Sequence, residues 1–191
     1  MRLRGSLLTV LLMGSPLWVI ASTEQYTIDS IHTYPSLEFH HMGISVWRGK
    51  FTKTSGSITL DLADHTGSVQ VTVDTTSIDF GLAALDERAR SDDYFDVAKY
   101  PAATYVGKLQ FVGEKPVAVD GQFTFRGVTH PLILKINQFG CLMHPRLHRE
   151  ICGADAEATL KWADYGMNVD IHSGGNEEAT LHIQVEAIKA S

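Results

Sequence analysis

The sequence predicts an all-β fold: an eight-stranded antiparallel β-barrel with one or two short helices confined to an excursion over residues 78–100. Three observations carry this expectation. Apolar and polar residues alternate with a period of two in short segments from Gln25 onward, the repeat of half-buried strands. Gly, Pro, Asn and Asp punctuate those segments at turn positions. Nearly every segment has one dry and one wet face, so the strands must stack as two sheets or close on themselves. Closure removes the unpaired edges that invite aggregation, and the barrel is therefore expected.

The chain opens with Arg2 and Arg4, an apolar run over 7–20 broken by Gly14 and Pro16, and then Val19-Ile20-Ala21-Ser22. This is the pattern of a signal peptide over 1–21, cleaved after Ala21, with 22–191 left as a single domain. A spanning helix would need about 20 predominantly apolar residues. The segment 26–29 reads as a short extra strand. The principal strands follow at Leu37 and Phe39, Trp47 and Phe51, Ile58 and Leu60, and Val69, Val71 and Val73. Beyond the excursion, Pro101 restarts extended chain. Further strands then run through Tyr105, Leu109 and Phe111; Val117, Val119, Phe123 and Phe125; Leu132, Leu134 and Ile136; Ala156, Ala158 and Leu160; and Leu181, Ile183 and Val185. Within 78–100, Leu82, Leu85, Ala89 and Tyr94 with interspersed charges give the helical expectation.

About 170 residues suffice for one domain with a substantial core. The formal charge is −6, and removal of Arg2 and Arg4 makes it −8. No basic run exists to neutralise phosphates, which argues against nucleic-acid binding. Cys141 and Cys152 form an even pair in an exported chain, and a disulfide between them is expected. His144 and His148 lie between them and make four potential zinc ligands. Structural zinc sites space their ligands over longer spans, so no metal is expected there.

An eight-stranded barrel is wide enough either to be filled by its own side chains or to hold one small ligand. Gly49, Gly107, Gly121, Ala103, Ala154, Ala156 and Ala158 interleave with large residues on the dry stripes. They either leave an elongated lumen or mark bends in a full core, and both readings stand at this point. The dry stripes carry almost no Lys, Arg, Asp or Glu. A buried carboxylate would want an inward cation, so the lumen suits a long hydrocarbon whose polar head stays at the mouth. Such a chain gains about 0.8 kcal/mol per methylene on leaving water, but little relative to a bilayer, which favours exchange with membranes.

Several motifs resemble the YceI family of lipid- or polyisoprenoid-binding proteins over essentially the whole mature chain. They are Tyr26-Thr27-Ile28-Asp29 with His32-Thr33, Gly49-Lys50-Phe51, Ser77-Ile78-Asp79-Phe80-Gly81, Arg90-Ser91-Asp92-Asp93-Tyr94-Phe95-Asp96 with Tyr100-Pro101, the stretch from Gly121 to Pro131, and Asp164-Tyr165-Gly166-Met167. The resemblance implies a lipocalin-like, periplasmic barrel that encloses a polyprenyl chain, an isoprenoid lipid or quinone tail, with no covalent cofactor. Two segments depart from the family pattern. Relatives have Arg-Asp-x-His-Leu-Arg-Ser where this chain has Leu85-Asp86-Glu87-Arg88-Ala89-Arg90-Ser91, and Arg-Ser-Asp-Phe-Gly where it has Trp162-Ala163-Asp164-Tyr165-Gly166. Both put the head group, more than the fold, in question.

The ligand-binding residues expected from the dry stripes are Phe39, Phe51, Val71, Tyr105, Leu109, Phe123, Phe125, Leu134, Ile136, Leu160, Ile183 and Val185. Arg88, Arg90 and Trp162 are expected at the mouth. For the other motif residues a structural role is expected: Gly127 and Gly166 as turn positions with positive φ, Pro101 and Pro131 in extended chain, and Asp29, Asp92 and Asp164 as caps or turn closures. No nucleophile elbow, metalloprotease helix or phosphate-binding loop is present, and no catalytic residues are expected. The alternatives are a lipid-modifying enzyme using Asp92, Asp96 or His130, and an envelope stress protein acting through protein contacts. The expected partners are the isoprenoid and a transient membrane contact for loading, and the chain could be a monomer or homodimer.

Overall fold

A computed structural model describes residues 23–167 and 177–191; the expected signal peptide and its cleavage point lie outside the described residues. Eleven strands form one sheet. They are β1 (Glu24–Ile28), β2 (Tyr34–His41), β3 (Ser45–Phe51), β4 (Thr54–Asp61), β5 (Thr66–Asp74), β6 (Ile78–Asp79), β7 (Ala102–Val112), β8 (Lys115–Phe125), β9 (Val128–Met143), β10 (Glu150–Lys161) and β11 (Glu178–Lys189).

The eleven strands make eight staves, because three staves are interrupted. β1 and β2 run in line along β11, with Tyr26 opposite Lys189 and Glu38 opposite Thr180. β4 pairs with β1 and β3 with β2; β5 then pairs with β4 and β6 with β3. From β5 the ring continues through β7, β8, β9 and β10 to β11, antiparallel throughout. The expected eight-stranded antiparallel barrel is what forms. The segment that reads in the sequence as a short extra strand is β1, and it helps to close the ring by pairing with β4 on one side and β11 on the other.

Local chemistry explains the interruptions. Between β1 and β2, the Asp29 carboxylate accepts the Ile31 N–H at 3.0 Å and meets His32 Nδ1 at 2.8 Å. The hydrogen bond to His32 holds the Asp29 carboxyl below its ordinary range and raises the imidazole. Between β5 and β6, Asp74 accepts the Thr76 N–H and caps a 3-10 turn over Thr75–Ser77. The tight turn joining β8 to β9 has Arg126 and Gly127 both at positive φ, the geometry that hairpin twist favours.

One strand departs from the simple alternation. Val117 is exposed rather than inward, because the register between β7 and β8 shifts at Gln110 and Phe111 and leaves Val117 as the bulged residue.

The excursion over 78–100 holds one helix, α1 (Ala83–Arg90), followed by turns. Eight residues are too few to be stable alone. Buried Asp86 accepts the Phe80 N–H, Arg90 donates to the carbonyls of Thr76 and Ile78, and Ala89 packs into the core.

Cys141 and Cys152 are cross-strand neighbours on β9 and β10 and form a disulfide. Chain-entropy reasoning for a loop of this size predicts that replacing both by alanine lowers stability by about 2–3 kcal/mol. Denaturant unfolding of the oxidised chain and the double variant measures this directly.

Candidate functional site

The barrel encloses a cavity of about 150 Å³. Three apolar clusters are assembled around it. One is built on Tyr26, Leu60 and Ala187, a second on Val69, Tyr105 and Leu134, and a third on Phe51, Phe125 and Trp162. Among the described residues no charged side chain lines it.

Five hydroxyl-bearing residues among those described do line it, and four are satisfied by protein groups. Tyr26 donates to Glu150, Thr33 to the Glu186 carbonyl and Ser36 to the His182 carbonyl. Tyr105 donates to the carbonyls of Val119 and Leu132, each at 2.9 Å. Burial, reinforced by the nearby carboxylates Glu150 and Asp120, pushes the Tyr26 and Tyr105 hydroxyls well above their ordinary range, so both stay neutral. The Thr54 hydroxyl is buried and has no partner among the described residues.

Of the residues expected to line the lumen, Phe51, Val71, Tyr105, Leu109, Phe123, Phe125, Leu134, Ile136, Leu160, Ile183 and Val185 all do so, together with Trp162. Phe39 does not. It lies in a second cavity of about 270 Å³ with His40, His41, Trp47, Phe80, Arg88 and Tyr94. Trp162 lines both cavities and meets Phe39 edge to face at 6.0 Å, so the two rings stand between them.

The expected mouth arginines separate in the same way. Arg88 lines the second cavity, with its guanidinium over the Tyr94 ring and hydrogen-bonded to the Tyr94 hydroxyl at 3.1 Å. Arg90 lines neither, because its guanidinium is committed to the Thr76 and Ile78 carbonyls at 2.8 and 2.6 Å. A hydropathy pattern cannot distinguish an arginine that faces a cavity from one that fastens a helix.

The small residues also divide. Ala103, Ala154 and Ala156 line the lumen. The glycines instead make room for protein: a Cβ on Gly49 would lie 2.6 Å from the Phe80 ring and one on Gly121 2.5 Å from Tyr105 Cζ. A Cβ on Gly107 would meet the Asp120 carbonyl at 2.8 Å. The open space therefore comes from alanines and valines.

Sequence patterning missed the group that closes the Trp162 end. Phe95, Tyr165 and Met167 are almost fully buried against Phe51, Phe125 and Trp162. They sit in turns rather than strands, so no periodicity marks them. Arg126 donates to the Tyr94 and Asp92 carbonyls and ties this closure to the β8–β9 turn. Gly166, with φ 69°, ends the 3-10 turn over Trp162–Tyr165.

Among the described residues no hydrogen bond or ion pair links Asp92, Asp96 and His130; His130 Nε2 instead lies 2.9 Å from the Asp164 carbonyl. His144 Nδ1 accepts backbone N–H groups of Arg146 and Leu147.

A family model described as the YceI-like domain matches residues 26–187. The chain belongs to the YceI family. A UPF0312 protein of Pseudomonas aeruginosa is 31% identical over 187 residues, covering 95% of this chain and 97% of the relative. Escherichia coli protein YceI is 30% identical over 172 residues, covering 88% and 89%. Two solved structures share the barrel. Burkholderia cenocepacia BcnA superposes with TM-score 0.68 at 21% identity, covering 83% of this chain and 98% of its own. A polyisoprenoid binding domain from Saccharophagus degradans, implicated in plant cell wall breakdown, superposes with TM-score 0.62 at 17% identity, covering 86% and 98%. The family motifs quoted above therefore include both lumen walls and the closure: Phe51, Phe123 and Phe125 face the cavity, and Phe95 and Tyr165 seal one end.

Two substitutions test this site. Gly121→Ala forces the Tyr105 ring from its slot and is expected to lower stability by about 1–3 kcal/mol in denaturant unfolding. Thr54→Val removes a buried hydroxyl that has no partner, and thermal unfolding is expected to show unchanged or higher stability, a gain of up to about 1 kcal/mol.

Proposed function

We propose that this YceI-family chain is an exported, periplasmic carrier that encloses the chain of an isoprenoid lipid or quinone and exchanges it with a membrane. One observation carries the reading: a closed barrel surrounds a lumen that, among the described residues, has no charged lining and has all its inward hydroxyls but one already satisfied. Such a surface gives a charged or strongly polar ligand no partners, and an unpaired charge there would be costly. A hydrocarbon chain needs none. The fold shared with a polyisoprenoid binding domain, and the Arg2–Arg4 start followed by an apolar run and Ala21, support the same reading.

The polar head belongs, on this reading, at the Trp162 end, and the Trp162 and Phe39 rings must turn aside for one ligand to occupy both cavities. There the second cavity offers the Arg88 guanidinium and an aromatic wall of Phe39, Trp47 and Phe80, with no carboxylate in its lining among the described residues. The tail lies among Leu109, Leu134, Ile136 and Ile183. The protein acts by binding, and its role in the envelope is to shield an apolar chain from water.

Native mass spectrometry of protein taken from its own periplasm without detergent is expected to show an added isoprenoid mass. Ala156→Phe places a ring in the lumen, and titration with a polyprenyl quinone should then weaken at least about ten-fold. A chain that carries no lipid and takes up neither quinones nor polyprenols would overturn the proposal.

A further inference from the structure

Neither cavity accounts for the tip of the β9–β10 hairpin, which is nonetheless a built structure. β9 pairs with β8 only as far as Lys135, opposite Ala118, but with β10 as far as Met143, opposite Glu150. From Ile136 onward β9 therefore has a strand on one side alone. The Cys141–Cys152 disulfide crosses its neck. The His144 N–H donates to the Arg149 carbonyl at 2.9 Å, and the His148 N–H to the His144 carbonyl at 3.0 Å. The Arg149 guanidinium reaches the Lys189 carbonyl and ties the turn to β11.

This fixed tip displays apolar side chains outward. Leu142 is 60% exposed, Met143 64% and Leu147 48%. Leu142 and Met143 are strand neighbours and so point to opposite faces. A single flat protein surface could cover only one of those faces, whereas immersion of the tip covers both.

The tip also departs from the rest of the chain in charge. Arg146 and Arg149 stand three residues apart at the tip of a chain whose formal charge is −6. The carboxylate beside them, Glu150, accepts the Tyr26 hydroxyl. The Arg146 side chain makes no hydrogen bond or ion pair among the described residues. A compact group of basic and apolar side chains on an acidic protein complements an anionic lipid surface.

We propose that this disulfide-necked tip docks the protein on an anionic phospholipid bilayer, with Leu142, Met143 and Leu147 entering between head groups and Arg146 against the phosphates. Phe139 and Cys152, at the base of the ribbon, line the lumen. Docking by the tip therefore sets that end of the lumen toward the bilayer. The proposal takes from the carrier reading only that the barrel must meet a membrane.

Flotation of the mature chain is compared with vesicles of phosphatidylcholine alone and mixed with phosphatidylglycerol. Binding is expected only to the mixed vesicles and should weaken with salt. The surface variant Leu142→Ser/Met143→Ser/Leu147→Ser should bind at least ten-fold more weakly, and Arg146→Glu, which changes the charge by two, about ten-fold or more. Met42→Ser/Ile44→Ser, at the opposite end of the barrel, should bind as the unmodified chain does. Equal binding to both vesicle types, undiminished flotation of the triple variant, or loss through Met42 and Ile44 would overturn the docking site. Quinone titration in lipid-free solution separates the two ideas. A chain that floats through its tip but takes up no isoprenoid keeps the docking surface and removes the carrier.

Discussion

Closure of the sheet is the constraint on which the rest of this molecule depends. A barrel of eight staves has a lumen only if the sheet closes on itself, and here the ring is sealed by β11, which pairs with β1 and β2 in succession along its length. Every inward residue is then committed to one shared interior. Because the described residues bring no charge to that interior and nearly all of its hydroxyls are bonded to the protein's own groups, the cavity wall is apolar along its length. A single inward carboxylate would need a cation, and none lines the lumen among the described residues.

The interruptions in three staves follow from the same closure. Strands in a small barrel must bend, and a bend is accommodated where a carboxylate can take over the freed backbone donors. Asp29 does this between β1 and β2, and Asp74 between β5 and β6. At the Trp162 end the closing layer is made from turns rather than strands, which allows Phe95, Tyr165 and Met167 to be inserted from outside the sheet's register. Arg90 and Arg126 hold those turns through backbone carbonyls. Two of the conspicuous cations thus serve architecture, and Arg88 remains to face a cavity.

Family motifs and physical roles map onto one another closely. Gly127 provides positive φ at a hairpin and lies where a Cβ would strike the Tyr100 ring at 2.7 Å. The stretch from Arg90 to Asp96 supplies Phe95 to the closure, and Gly121 supplies the slot for Tyr105. These are positions where a particular shape is required, whereas the lumen wall outside the motifs, as at Val71, Leu109 and Ile183, asks only for an apolar residue of suitable size.

The sequence by itself determined the all-β class, the inward stripes, the disulfide and most of the lumen wall, because period-two alternation is a local property that survives in any register. Only the tertiary structure decided which stave an interrupted strand completes, that Phe39 belongs to a second cavity, and that Arg90 fastens α1. It also decided that the space beside Gly49 and Gly121 is filled by neighbouring rings while Ala103, Ala154 and Ala156 face the lumen. Each of these depends on what lies across the barrel from a residue, and residues far apart in the chain meet there only once the sheet has closed.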